Sequence, residues 1–270
     1  ILIDCGAPLS VFEAELVSQQ LELAAIFITH HHADHVEHLD QWLARYNVPV
    51  CCHPDEQAYL PQAWMQMHDN AEMSFGGLRV RAIHTPGHTA GHLCFLVNHD
   101  ELFSGDTLFA GSVGATTGEG ATGVEDLRQS IVERILRLSH AVRIRPGHGE
   151  ATTVIQELRK NPFVRLWRSI DPALKAPCQV RGTKAFLLCE AADYDGGSKA
   201  LVRFLDSATG ETLDAVVPGS WLRQDAGTDR VVEVAPQALS GEQQNSIKET
   251  AATTAAALEK CSQEQVGKSA

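Results

Sequence analysis

Apolar residues fall into two spacings along this chain, and each change of spacing marks an element. Ile1-Leu2-Ile3, the run from Leu23 to Thr29 and the run from Val48 to Cys52 are short, largely apolar stretches of the kind buried strands show. Leu78, Val80 and Ala82 alternate with Arg79, Arg81 and Ile83. His92 to Val97 and Leu102-Phe103 read as strands joined by the turn Asn98-His99-Asp100-Glu101, and Val142 to Arg145 is a further strand. Spacings of three and four predict helices between them: a weak one over 11–22 through Val11, Leu16 and Leu21, one after His35 through Val36, Leu39, Leu43 and Tyr46, and a clear one through Val124, Leu127, Ile131, Ile135 and Leu138. Thr153 with Gln156 three residues on predicts a capping box for a helix that ends before Pro162. Residues 54–73, with Trp64, Met65 and Met67, follow neither spacing and predict an irregular connection or a loop over a cleft.

Past Pro162 the pattern changes. Apolar runs at 186–189, 201–205, 215–217 and 231–234, separated by Asp195-Gly196-Gly197 and Thr209-Gly210, predict a small sheet or barrel. Residues 237–270 are rich in Ala, Gln, Ser, Thr and Glu and predict a frayed helix or a disordered tail. The expected organisation is a domain over 1–163, a linker over 164–175, a β-rich domain over 176–235 and a tail over 236–270. The β-rich part carries no cluster of candidate ligands, so its expected role is packing or self-association, and it is expected to be dispensable for chemistry.

The chemistry gathers at strand ends. Ile26-Phe27-Ile28-Thr29 runs into His30-His31-His32-Ala33-Asp34-His35, four histidines and an aspartate within six residues. Three later pieces match it: Thr85-Pro86-Gly87-His88, Ser104-Gly105-Asp106-Thr107 and Pro146-Gly147-His148-Gly149. Imidazole and carboxylate suit zinc, iron or manganese. Pro and Gly before His88 and His148 give rigid, tight turns that fix where each imidazole goes. His31 lies between two candidate ligands and should point elsewhere, because adjacent side chains diverge. His38 reads as a solvated helix position, and His84 and His92 as supporting or core histidines. Asp34 alone also suits a helix start, where a carboxylate is favoured.

These pieces resemble the metallo-β-lactamase superfamily. The signature His-x-His-x-Asp-His stands here as His30-x-His32-x-Asp34-His35, and the later His, Asp and His of the family map onto His88, Asp106 and His148. Within the superfamily, HTPGHTAGHLCF, LFSGDTLFAGSVG and RPGHGEATTVIQELRKNPF look like the glyoxalase II-type hydrolases. The resemblance covers residues 1 to about 163. It implies an α/β fold, an αββα sandwich of two mixed sheets, which here would lack its first strands and carry the β-rich appendage. It also implies two divalent metal ions, zinc foremost with iron or manganese as alternatives. His30, His32 and His88 would hold one ion, Asp34, His35 and His148 the other, and Asp106 would bridge them. The implied reaction is attack of a metal-bound hydroxide on a small-molecule thioester or related acyl substrate, with Asp34 in the catalytic set. Members of the glyoxalase II-like branch often carry a basic residue soon after the glycine of the 110–123 loop, where this chain has Ala115-Thr116-Thr117. A mononuclear iron persulfide dioxygenase, a β-lactamase and an inactive binding protein of the same fold are the other readings.

Charge and cysteine usage narrow the partners. The net charge of −12 disfavours a polyanionic nucleic acid. No apolar run approaches the ~20 residues that span a bilayer. The seven cysteines form no framework, which fits free thiols in a reducing cytoplasm. Cys51-Cys52, inside an apolar run, reads as core.

Overall fold

Two sheets packed face to face form the centre of the molecule, and the sequence splits each strand between two cores. The computed structural model describes residues 1–60, 65–206 and 209–223. Trp64, the 231–234 run and the 237–270 tail lie outside the described residues.

The first sheet is parallel, in the order Leu2–Ile3, Ile26–Phe27, Val50–Cys52 and Met65–Gln66. Parallel strands covered on both faces read as unbroken apolar runs. Phe27 and Cys51 face the second sheet, where they meet Val80, Ala82, Leu93 and Phe95. Ile26, Ile28, Val50 and Cys52 face the opposite way, onto Leu39 and Trp42 of the flanking helix. The pair Cys51-Cys52 is therefore core on both sides.

The second sheet has six strands, in the order Thr152–Thr153, Arg143–Pro146, Glu101–Gly105, Leu93–Val97, Leu78–His84 and Glu72–Phe75. Its pairs are antiparallel except Arg143–Pro146 beside Glu101–Gly105. Cys94, Leu96, Leu102 and Ile144 pack on Val124, Leu127, Ile131 and Ile135 of the clear amphipathic helix. Helix, sheet, sheet and helix thus give the αββα sandwich. Among the described residues no helix is long and apolar enough to cross a membrane.

The helices depart from their expected bounds for local reasons. The first spans Leu9–Ser18, opened by Pro8 and ended before Gln20, whose φ is +55°. Val11 and Leu21 are exposed, and Leu16 alone of the three marker positions packs on the core. The segment after His32 is two short helices, Ala33–Val36 and Leu39–Arg45, broken around His38. Its buried apolar positions are Leu39 and Trp42, and His35 is buried on the side of the site. Thr153 Oγ1 accepts from the Gln156 N–H at 3.3 Å and caps Val154–Lys160, as expected. Pro162 then starts another helix, Pro162–Trp167, at the first position, where its missing N–H is harmless, with Asn161 Oδ1 accepting from Phe163 and Val164. Residue 163 falls inside that helix, and Phe163 and Val164 are in the main core. The segment expected to be irregular holds a two-turn 3₁₀ helix, Pro54–Tyr59, and two short strands.

A third sheet, wholly antiparallel, runs in the order Thr212–Pro218, Ser198–Leu205, Thr183–Ala192, Ala176–Val180 and Leu222–Arg223. Leu188, Cys189, Leu201 and Val216 enter the same core as Leu127 and Ile131. The alternating residues Leu187, Ala200, Val202, Ala215 and Val217 form a core of the sheet's own.

Candidate metal centre

Four strand ends deliver the candidate ligands to one edge of the sandwich. His30 follows Ile26–Phe27, His88 sits in the turn after Leu78–His84, Asp106 follows Glu101–Gly105, and His148 follows Arg143–Pro146. His32, Asp34 and His35 stand at the start of Ala33–Val36. Ligand atoms of His30, His32 and His88 lie within 4.8 Å of one another, as do those of His30, His35 and Asp106, and those of Asp34, His35 and His148. All seven sequence-derived residues therefore meet at one place. Asp34 lies within the first turn of its helix and makes no cap bond, so its carboxylate is free for the site. His30, His35, His88 and Asp106 are buried, while the Asp34 side chain is 58% exposed and that of His148 25%, so the site opens on that side.

The hydrogen bonds on the far side of each ring fix which nitrogen carries a lone pair. His88 Nδ1 is 2.8 Å from the Ala115 carbonyl and His32 Nε2 is 3.2 Å from the Glu119 carbonyl. A carbonyl only accepts, so both ring nitrogens donate. In the neutral rings, His88 Nε2 and His32 Nδ1 are then left as acceptors, and they face each other at 3.0 Å. Two lone pairs cannot bond to one another. His30 repeats the logic: Thr29 Oγ1 donates to Asp4 Oδ2 at 2.8 Å and accepts from His30 Nδ1 at 3.0 Å, leaving the buried His30 Nε2 without a partner. Burial keeps His30 and His32 neutral at ordinary pH and pushes His88 down to about 4. Three converging lone pairs with no proton among them fit a cation.

The other half of the site states the same need through charge. His35 Nδ1 donates to Asp4 Oδ2 at 2.7 Å, and its Nε2 is 3.2 Å from Asp106 Oδ1. Burial alone would lower the His35 imidazolium, yet its bonds to Asp106 and Asp4 outweigh that and raise it to about 10. Asp106 is held well below its ordinary value: the hydrogen bond from His35 and the charge of its histidine neighbours overcome the cost of burial. Its second oxygen lies 3.7 Å from both His88 and His148. His148 Nε2 is 3.0 Å from Asp34 Oδ2, a pairing that raises the histidine and lowers the carboxylate. One carboxylate thus stands between two groups of donors: the first is neutral lone pairs, and the second, beside Asp4, Asp34 and Asp106, draws in positive charge that a divalent cation would supply in place of protons. The residues present can hold a divalent metal.

The remaining histidines support the site or stand apart from it. His31 turns away, donates through Nδ1 to Glu56 and stacks on Tyr59. Glu56 also accepts from Thr89 Oγ1 at 2.7 Å and from the Gly91 N–H at 2.9 Å, so one buried carboxylate ties the His30–His35 segment to the His88 turn. His92 is buried, and its Nε2 accepts from the Asp106 N–H at 3.1 Å. Burial pushes its imidazolium down to about 3, as that accepting role requires. His84 stacks on His53 at 4.2 Å, away from the ligands, and His38 meets Gln41 on an exposed helix edge. Sequence reading missed Asp4, Glu56 and Tyr194. Asp4 follows an apolar strand and precedes Gly6, as Asp106 follows another strand and Gly105, and that likeness was its one available signal. Tyr194 stacks on His148 at 4.6 Å with 14° between the rings, so the 176–223 sheet reaches the site.

A family model described as the metallo-β-lactamase superfamily matches residues 1–148. The chain belongs to that superfamily. Among its relatives, the hydroxyacylglutathione hydrolase GloC of Haemophilus influenzae is 30% identical over 178 residues, 56% of this chain and 83% of that protein. The structure of BLEG-1, a B3 metallo-β-lactamase, superposes with a TM-score of 0.57 at 29% identity, over 60% of this chain and 87% of its own. TTHA1623, solved in a di-iron-bound form, gives 0.54 at 31% identity, again over 60% and 87%. In each case the similarity stops well short of this superfamily member's full length.

Proposed function

We propose that this chain is a two-metal hydrolase that cleaves thioesters or related small acyl compounds. The observation that carries the reading is Asp106, whose Oδ1 faces His35 and whose Oδ2 faces His88 and His148, midway between two donor groups. An imidazole nitrogen binds one ion, whereas a carboxylate has two oxygens to share. His30, His32 and His88 would hold one ion, Asp34, His35 and His148 the other, and Asp106 would serve both. Zinc fits this donor set first, and iron or manganese also suit it. A divalent ion held there lowers the pKa of bound water from ~15.7 toward ~7 and polarises a carbonyl, so no nucleophilic side chain is needed.

The protein's own residues do the rest. Thr29 and Asp4 orient His30 and His35, and the Ala115 and Glu119 carbonyls orient His88 and His32. Substrate reaches the site from the exposed Asp34 and His148 side. The relatives named as hydroxyacylglutathione hydrolases support the acyl class. The 110–123 loop carries no Lys or Arg, so an anionic thiol carrier finds no cation there, which favours other carriers over glutathione at this loop. The convergence of Asp34, His35 and His148 favours this reading over a mononuclear iron dioxygenase, where a second donor group would be idle. Metal analysis of the purified chain, with a thioester, a persulfide under oxygen and a lactam assayed side by side, tests it. The expected result is close to two ions per chain and thioester hydrolysis above the other two activities. One ion per chain, unchanged on adding metal, would defeat the two-metal claim, and persulfide-dependent oxygen uptake would select the dioxygenase.

A further inference from the structure

The sheet over 176–223 meets the metal centre at two points, and each point fixes a different histidine. The first is the hairpin between Thr183–Ala192 and Ser198–Leu205. Its turn is closed by the Asp193 N–H on the Gly197 carbonyl at 3.0 Å, with Gly196 at φ +83°. The tip presents Tyr194, whose ring lies against His148 at 4.6 Å and 14° and against Phe109 at 5.1 Å. Lys199 fastens that tip from behind. Its Nζ is 3.2 Å from Asp193 Oδ2 and 4.4 Å from the centre of the Phe109 ring, in a side chain only 10% exposed. Phe109 comes three residues after Asp106, so the hairpin is tied to the strand end that carries the bridging carboxylate.

The second point is the outer strand Thr212–Pro218. An edge strand has backbone groups left unpaired by its own sheet. Here Val216 spends both on the 110–123 loop: its carbonyl accepts from the Thr116 N–H at 3.1 Å, and its N–H donates to Thr116 Oγ1 at 3.0 Å. The neighbouring Ala115 carbonyl is the group that accepts from His88 Nδ1. The loop that sets the His88 tautomer is therefore held in place by the third sheet.

We propose that the 176–223 sheet is a working part of the metal centre, with Tyr194 the positioning residue for His148 and the Thr116–Val216 pair the positioning element for His88. The assignment rests on the two-ion reading above, in which these histidines serve different ions. Tyr194 is 46% exposed and Thr116 lies in a surface loop, so replacing either leaves the cores intact. Outer partners of metal ligands are worth about 10- to 100-fold in metal affinity.

The test is a cobalt(II) titration of the metal-free full chain, followed by visible absorption and calorimetry, for the parent, Tyr194→Phe, Tyr194→Ala and Thr116→Val. The parent should take two equivalents. Tyr194→Ala should bind one equivalent normally and the other about 10-fold more weakly, with altered cobalt absorption for that ion alone. Tyr194→Phe keeps the stacking face and should match the parent. Thr116→Val should weaken the other equivalent. General loosening of the fold would weaken both ions together, so a matched loss of both in Tyr194→Ala overturns the assignment. Parent-like binding by Tyr194→Ala overturns it too, as does Tyr194→Phe failing as badly as Tyr194→Ala. A parent that takes a single equivalent removes the two-ion reading itself, and the assignment with it.

Discussion

A methyl group at Gly147 has nowhere to go. Its carbon would lie 2.4 Å from Asp106 Oδ1 and 2.6 Å from His35 Cε1, about 1 Å inside the 3.4 Å where ordinary contact begins. Neither side yields freely. The Gly147 N–H donates to the Gly105 carbonyl at 2.8 Å, which pins the turn to the neighbouring strand end. The Asp106 N–H is held by His92, and His35 by Asp4. Gly147→Ala must therefore displace the Asp106 and His35 side chains by about 1 Å, and a misplacement of that size at a reacting centre costs ~100-fold in rate. Crowding of this kind also costs the fold about 1–3 kcal/mol, roughly 2–8 °C in Tm for a chain of this size. The expected result is kcat/KM for thioester hydrolysis lowered ~100-fold, with a modest fall in Tm and an unchanged far-ultraviolet circular dichroism spectrum. Purified parent and variant would be compared for metal content, turnover and melting. Parent-like metal content and turnover in the variant would refute the placement of Gly147 against the two ligands.

Other outcomes follow from the same geometry. His148→Ala should release about one metal equivalent and lower kcat by ~100-fold or more, and near-normal hydrolysis after losing that ion would refute the two-metal mechanism. Asp4→Asn keeps the shape but removes the charge that orients His35, so metal affinity measured by competition with a chelator should fall about 10- to 100-fold, and an unchanged affinity would show Asp4 to be incidental. Glu56 concerns stability against acid. Burial alone would raise its carboxyl, but hydrogen bonds from His31 and Thr89 outweigh that and hold it at about 2. A carboxylate depressed this far stabilises the fold above its unfolded value of 4.5 and loses that contribution as pH falls toward about 2, an amount on the order of 3 kcal/mol. In metal-free protein the denaturant midpoint of the parent should drop between pH 5.5 and 3, and Glu56→Gln should be less stable at pH 5.5 with a shallower drop. Parallel curves for the two would exclude Glu56 as a source of the acid dependence.

The sequence by itself determined the sandwich and the ligand set to the extent that both are local. Continuous apolar runs ending in His30, Gly105-Asp106 and Pro146-Gly147-His148 are short-range patterns, and a strand end fixes where the next few side chains emerge. The helical stretch through Val124, Leu127, Ile131 and Ile135 was equally legible, because three- and four-residue spacing is a property of the chain alone, although it passes from α-helix at Val124–Gln129 through a π turn to a 3₁₀ turn that ends at Arg137. Helix ends were less so. Pro8 and the left-handed Gln20 set the first helix, and Pro162 opened a helix where the pattern suggested only an end, since proline stops one helix and starts another equally well. What only the tertiary structure decided is who stands behind the ligands. Asp4 is 31 residues from His35, Glu56 is 25 from His31, and Tyr194 is 46 from His148. These partners obey no period or motif, because a side-chain hydrogen bond or a ring stack requires only that two strand ends or two turns come together in space. The same reason hid the role of the third sheet. Its apolar alternation predicted strands, and its lack of ligands predicted a bystander. Leu188, Leu201 and Val216 packing beside Leu127 and Ile131, with Tyr194 against His148, is a consequence of how two sheets share one helix, and that is settled by packing between residues 46 to 89 apart in the chain.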